Sequence, residues 1–210
     1  MIYRMSVVLL ILIFAGTSFA QGENRPEQLI TELKPLHRDT TIVADGEANA
    51  VIVVPDSDEY RELATQVQTA VKDATGAGLP VATDDSVDMQ NPSQHLIIIG
   101  NMDTNAAAQW LYWRRYVACD LDYPGPDGYV VRTACDPWGT GTNAIMLGGS
   151  DIEGVRAAVA AFETQLTPGD TLTLPMLMDI HIRNLETIDE AALQKEWDYY
   201  REEIINAGGL

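Results

Sequence analysis

Apolar positions along residues 127–162 recur in three rhythms, and each predicts a different element. Tyr129, Val131 and Thr133 alternate with Val130, Arg132 and Ala134, the period of two of a strand with unlike faces. Ala144-Ile145-Met146-Leu147 is a short unbroken apolar run, which suits a strand buried on both sides. Ile152, Val155, Val159 and Phe162 then follow at helical spacing, with Ser150 and Glu153 placed as a capping box. The stretch reads as strand, loop, strand, capped helix.

The same rhythms divide the rest of the chain. Strands are predicted over 39–44 and 50–54, joined by a turn at Asp45-Gly46-Glu47. After Pro55, with Asp56 or Ser57 as cap, Tyr60, Leu63, Ala64, Val67, Val71 and Ala74 share one face of a helix that Gly76 closes. Leu79-Pro80-Val81-Ala82 reads as an edge strand, because proline cannot donate to a ladder. A polar loop over 84–94 leads to the buried strand His95-Leu96-Ile97-Ile98-Ile99, then to a short helix capped within 101–105 and running through Trp113. Thr171-Leu172-Thr173-Leu174 gives one more strand, and 188–205 an acidic amphipathic helix ending in a glycine-containing run of linker composition. Helices separated by pairs of strands predict an α/β fold. Its form would be a two-layer sandwich, a mixed β-sheet with helices packed mainly on one face.

The first twenty residues stand apart. Arg4 precedes the apolar run 7–14, and Ser18-Phe19-Ala20 is a small-x-small site, which predicts an exported protein with a signal peptide cleaved after Ala20. The run is too short to span a bilayer, so no stable membrane span is expected after cleavage. A polar lead-in over 21–37 would precede a domain over 38–176, with helix and linker over 177–210. Composition is that of a globular chain, 46% apolar and 21% charged. Without its leader the chain carries 31 acidic residues against 12 basic ones, net −19 where the whole chain has −18. Such a surface repels nucleic acid and anionic lipid, which excludes both as partners. Export would let the two cysteines, Cys119 and Cys135, pair and close the 120–134 segment, and that bridge is expected.

Candidate chemistry is sparse. The loop Asp136-Pro137-Trp138-Gly139-Thr140-Gly141-Thr142 either presents Trp138 to a sugar face, with Asp136 and Thr140 on its hydroxyls, or is a hairpin connection whose tryptophan caps the core edge. Trp110, Trp113 and Tyr116, with Tyr112, form an aromatic cluster in which Trp110 and Trp113 share a helix face; core, docking surface and sugar platform are all open to it. Asp120, Asp122, Asp127 and Asp136 include a conceivable acid–base pair, though the spacing of DLDYPG defeats a calcium loop. Gly148-Gly149-Ser150-Asp151 fits a helix cap better than an anion site, since Asp151 already brings a negative charge. No GxSxG, HExxH or metal-ligand spacing occurs, so neither a catalytic residue nor a metal or cofactor is expected.

Several of these segments together resemble a known family. The strand over 50–54, Ala74-Thr75-Gly76 with Leu79-Pro80-Val81, the strand ending in Gly100, Gly128-Tyr129 with Arg132, and Leu147-Gly148-Gly149-Ser150-Asp151 leading into Gly154-Val155 stand in order. The set is similar to the small N-terminal domain of carbohydrate-active enzymes such as alpha-glucuronidases and beta-hexosaminidases, and to the leading segments of large exported bacterial polysaccharide-degradation proteins. It covers roughly residues 40–175. The resemblance implies an accessory domain, not catalytic by itself, that docks to or leads into a catalytic module or partner protein. A free-standing carbohydrate-binding module and a small glycoside hydrolase or lyase using the loop carboxylates are the alternatives.

Overall fold

The computed structural model describes residues 35–182 together with 194–195, 197–199 and 201–202. The predicted leader, most of the lead-in and the terminal glycine run lie outside the described residues. Of the helix expected over 188–205, the described positions are helical.

The order of elements follows the periodicity closely. A hairpin of β1 (Thr40–Ala44) and β2 (Glu47–Ala48) precedes β3 (Ala50–Val54), α1 (Asp58–Thr75), β4 (Val81–Thr83) and β5 (His95–Ile99). Then come α2 (Ala106–Trp113), β6 (Tyr129–Ala134), β7 (Ala144–Gly149), α3 (Ile152–Glu163), β8 (Leu172–Leu174) and β9 (Met178–His181). A six-stranded mixed sheet runs β4-β3-β5-β7-β6-β9, and a three-stranded antiparallel sheet runs β2-β1-β8. Strands β4, β3, β5 and β7 are mutually parallel, while β6 and β9 are antiparallel additions. The fold is an α/β sandwich.

The unbroken apolar runs are explained by burial on two faces. Ile97 and Ile99 of β5 and Ile145 and Leu147 of β7 point into one core with α1, α3, β1 and β8. Leu96 and Ile98, with Ala144 and Met146, point into a second core with Ala107, Ala108 and Leu111 of α2. Each such Ile or Leu contributes about 1.5–3 kcal/mol on burial, so neither face can be given up. Helix α1 buries Leu63, Ala64, Val67 and Val71 and ends at Gly76 in the left-handed region (φ 80°). Helix α3 buries Val155, Ala158, Val159 and Phe162 on the same side. The glycines of the family-like pattern mark where backbones meet. A Cβ on Gly154 would lie 2.1 Å from the Gly128 carbonyl oxygen, and one on Gly149 would lie 2.4 Å from the Gly154 carbonyl carbon.

Four local expectations are corrected. The strands predicted over 39–44 and 50–54 do not form a hairpin with each other: across Asp45-Gly46 β1 turns back onto β2, and β3 enters the other sheet. The cap of α3 is Asp151, which accepts from the Gly154 N–H (2.8 Å), while Ser150 accepts from the Gly125 N–H (2.9 Å) and so pins the preceding loop. Strand β9 falls where helix and linker are expected, and it extends the sheet beyond residue 176 by pairing with the open edge of β6. Cys119 and Cys135 are both free. Cys119 Sγ sits at Gly148, which pairs with Val130, whereas Cys135 follows the far end of β6. Five residues of strand separate the two positions by roughly 17 Å, beyond any disulfide.

Candidate functional site

In an open parallel sheet the natural place for a ligand is the crevice beyond the strand C-termini, where successive connections leave by opposite faces. Here that point lies between β3 and β5, since α1 packs on one face and α2 on the other. The crevice is filled from within. Asn105, 1% exposed, donates from Nδ2 to the Val53 and Ile99 carbonyls (3.2 and 3.0 Å), and its Oδ1 accepts from the Ala107 and Ala108 N–H groups. Asn101 does the same next door, donating to the Gly149 carbonyl (2.9 Å) and accepting from Asp103 and Thr104. Asp84 Oδ2 accepts the Ala106 N–H at 2.6 Å. The groups that would face a ligand are consumed by the fold's own backbone.

The second region lies where the 84–94 loop, the C-terminal half of α2 and the 136–142 loop converge. Trp138 is fixed by a hydrogen bond from its Nε1 to the Met89 carbonyl (3.0 Å) and stacks on Trp110, with ring centroids 5.4 Å apart and planes at 27°. The guanidinium carbon of Arg114 lies 3.8 Å from the Trp110 ring centroid. The Tyr116 hydroxyl donates to the Pro137 carbonyl (3.2 Å). With Gln90 these residues line an open depression of about 470 Å³.

The loop holding Trp138 turns on three left-handed residues, Asp136 (φ 45°), Gly139 (φ 75°) and Gly141 (φ 84°). Asp136 is not glycine, and hydrogen bonds hold it there. Its N–H donates to Asn143 Oδ1 (2.8 Å), and its Oδ1 accepts from the Gly141 N–H (2.7 Å). Asn143 is fully buried and ties this loop to the start of the domain through the His37 carbonyl and the Thr40 hydroxyl. Its own N–H donates to His95 Nδ1 (2.9 Å), and burial lowers the His95 pKa below the usual histidine range.

The structure therefore brings Trp110, Tyr116 and Trp138 together and separates the others. Trp113, three residues from Trp110, is 67% exposed and lines a different depression with Tyr112, Arg115, Val117 and Arg132. Thr140 is exposed, and among the described residues its hydroxyl bonds Thr142 Oγ1 (3.1 Å). Asp136, 5% exposed, braces the loop from inside and does not face the depression as a sugar ligand. Of the other acids, Asp120 uses both oxygens. Oδ1 accepts from the Asp122 and Tyr123 N–H groups and Oδ2 from the Tyr112 hydroxyl. Burial alone would raise its pKa, but these donors outweigh it and hold the carboxyl low, the reverse of what a general acid needs. The Asp127 N–H serves the α3 cap by donating to Asp151. Among the described residues no cluster of three or more His, Cys, Asp or Glu is placed to hold a metal, and no helix is long and apolar enough to cross a membrane.

Sequence reasoning missed Arg114, Gln90 and Met89 as parts of one site, and the asparagines as closures. The available signal was positional. Asn49, Asn101, Asn105 and Asn143 each flank an apolar run, where a side-chain amide can satisfy strand ends.

No family model and no curated protein matches the chain. Among solved structures it is similar to part of the N-acetyl-beta-hexosaminidase of Streptomyces plicatus in complex with thio-NAglucal, with a TM-score of 0.37 and 14% identity. That likeness covers 70% of this chain and 24% of the other, so the chain spans about a quarter of the hexosaminidase's length.

Proposed function

We propose that the chain is an exported, non-catalytic accessory domain of carbohydrate breakdown, which docks to a catalytic module or partner protein. The observation that carries this reading is the closed crevice between β3 and β5. The position where this class of sheet holds substrates is occupied by Asn101 and Asn105, whose polar atoms are spent on strand ends and helix starts. The loop acids are likewise engaged in turns and caps. Apolar groups needed for docking are on the outside: Trp113, Leu121 and Met178 are 67%, 62% and 59% exposed. The order of glycine-bearing segments that resembles the accessory domains of carbohydrate-active enzymes supplies the link to glycans, and the apolar leader supplies export.

The test is turnover. The purified chain is expected to release no reducing ends from a panel of soluble and insoluble polysaccharides. Release that disappears in Asp136→Asn or Asp120→Asn would overturn the reading in favour of a small hydrolase. Protein recovered from an exporting host should begin at Gln21; an intact N-terminus would remove export.

A further inference from the structure

We propose that the amphipathic segment 188–205 docks on the α2 side of the sheet at β6 and β9, laying its apolar stripe on Met178, Ile180 and Trp113 and an acidic flank toward Arg115 and Arg132. The inference goes beyond the accessory-domain reading and does not depend on it. A partner would meet this part of the molecule only once the segment has left.

The sheet face is the first support. Val130 and Ala134 of β6 belong to the core under α2, so Arg132 between them points the same way. Ile180 pairs with Val130 and Met178 with Arg132, which puts both β9 side chains on that face as well. Met178 is 59% exposed, and Ile180 is exposed with it. The other side of β9 is polar and engaged: Asp179 accepts from the Tyr129 hydroxyl (3.2 Å), and His181 stacks on the Tyr129 ring. Helix α2 packs on β5 and stops at Trp113, an exposed ring at a depression of about 410 Å³ that Arg132 also lines. An apolar strand side left in water is the surface an amphipathic element covers.

The segment is the second. By helical spacing Leu193, Trp197, Tyr200 and Ile204 form one stripe, and Asp189, Glu196 and Glu203, one heptad apart, run along a flank of it. Among the described positions Gln194 donates to Asp198 one turn on (2.9 Å), and Trp197 is 69% exposed. Residues 182–187 join β9 to the segment and reach up to roughly 20 Å, enough to fold it back over the strand it follows.

Charge decides between this occupant and others. Over 188–205 six acidic residues stand against two basic ones. The sheet face has the opposite sign. Arg115 and Arg132 form no ion pair among the described residues, and Arg132 Nε is buried without a hydrogen-bond partner. No carboxylate lines the depression they share. A second copy would bring with it the surface of a chain of net charge −18, whereas the tethered segment brings only its own flank.

The experiment follows backbone hydrogen exchange of the full chain by mass spectrometry, with a synthetic 188–205 peptide as the reference. Amides of 188–205 are expected to exchange about tenfold or more slowly than in the peptide, at every protein concentration. Trp197→Ser, or Met178→Glu combined with Ile180→Glu, should return them to the peptide rate, and Arg132→Gln should remove part of the protection. Helix α1 should stay protected in each variant, which shows that the domain is folded. Trp197 lies outside the sheet, so its variant keeps the test decisive if the β9 substitutions disturb the strand. Exchange at the peptide rate in the parent, protection that rises with protein concentration, or protection that survives the β9 substitutions would overturn the proposal.

Discussion

The two ends of α2 are built to opposite effect. At its start, Asn105 turns every polar atom of its side chain inward and seals the crevice between β3 and β5. At its end, Trp110 and Arg114 meet the loop between β6 and β7, and the surface stays open. Eight residues of helix thus separate a closed site from an open one. The lesson is that the position a fold class favours for ligands is only a position. What the local side chains do with their hydrogen bonds decides whether it is used.

The sharpest way to break this contrast is Asn105→Ala. It strands two strand-end carbonyls and two helix N–H groups, and should cost about 3 kcal/mol in urea unfolding. A loss below about 1 kcal/mol would mean that the crevice is not held shut by this side chain. At the open end, Trp138→Ala should cost about 2 kcal/mol, because the ring is only half-buried but loses both a hydrogen bond and a stack. Arg114→Gln should leave stability within about 0.5 kcal/mol, since an exposed cation over a ring contributes little to folding. That difference between neighbours separates scaffold from surface.

The loop carrying Trp138 also brings a pH dependence. Burial lowers the folded pKa of His95, so between that value and the unfolded 6.5 the unfolded chain binds more protons. Stability from this group is full above pH 6.5 and is lost as pH falls from there through the folded pKa. Urea midpoints measured at pH 7.5 and 5 should differ more in the parent than in His95→Gln, and an equal difference would assign the effect to carboxylates. The smallest perturbation is chemical labelling. Burial, with Asp120 adding to it, pushes the Cys119 thiol up to about 12; burial raises the Cys135 thiol too, but that residue is only partly buried and reachable from solvent. Iodoacetamide at pH 8 should therefore add one label to the native chain, on Cys135, and two after denaturation. No label under non-reducing denaturation would restore the disulfide.

Much of the architecture was legible because periodicity reports burial directly. The run Leu96 to Ile99 had to be covered on both faces, and α1 had to lay Leu63, Val67 and Val71 on a core. Even the glycines of the 128–154 region announced close backbone contacts. The hairpin partner of β1 was not legible, because a two-residue strand leaves almost no pattern. Strand β9 was hidden for another reason. Met178-Asp179-Ile180-His181 does alternate, but four residues are too short a run to separate a strand from a loop, and all four are exposed. The candidate site was half legible. Trp110, Tyr116 and Trp138 could be picked out as unusual, but the spacing of Trp110 and Trp113 suggested a shared face that the end of α2 does not provide.

By itself the sequence determined the layers, the helix faces and where the chain turns, since those follow from which side chains leave water over a few residues. Only tertiary structure decided that Met89, Trp110, Arg114 and Trp138 meet, that Asn105 reaches two strands at once, and that the two cysteines stand at opposite ends of β6. Those relations join residues tens of positions apart. The register of the sheet sets them, and no local pattern of polar and apolar positions encodes that register over such a distance.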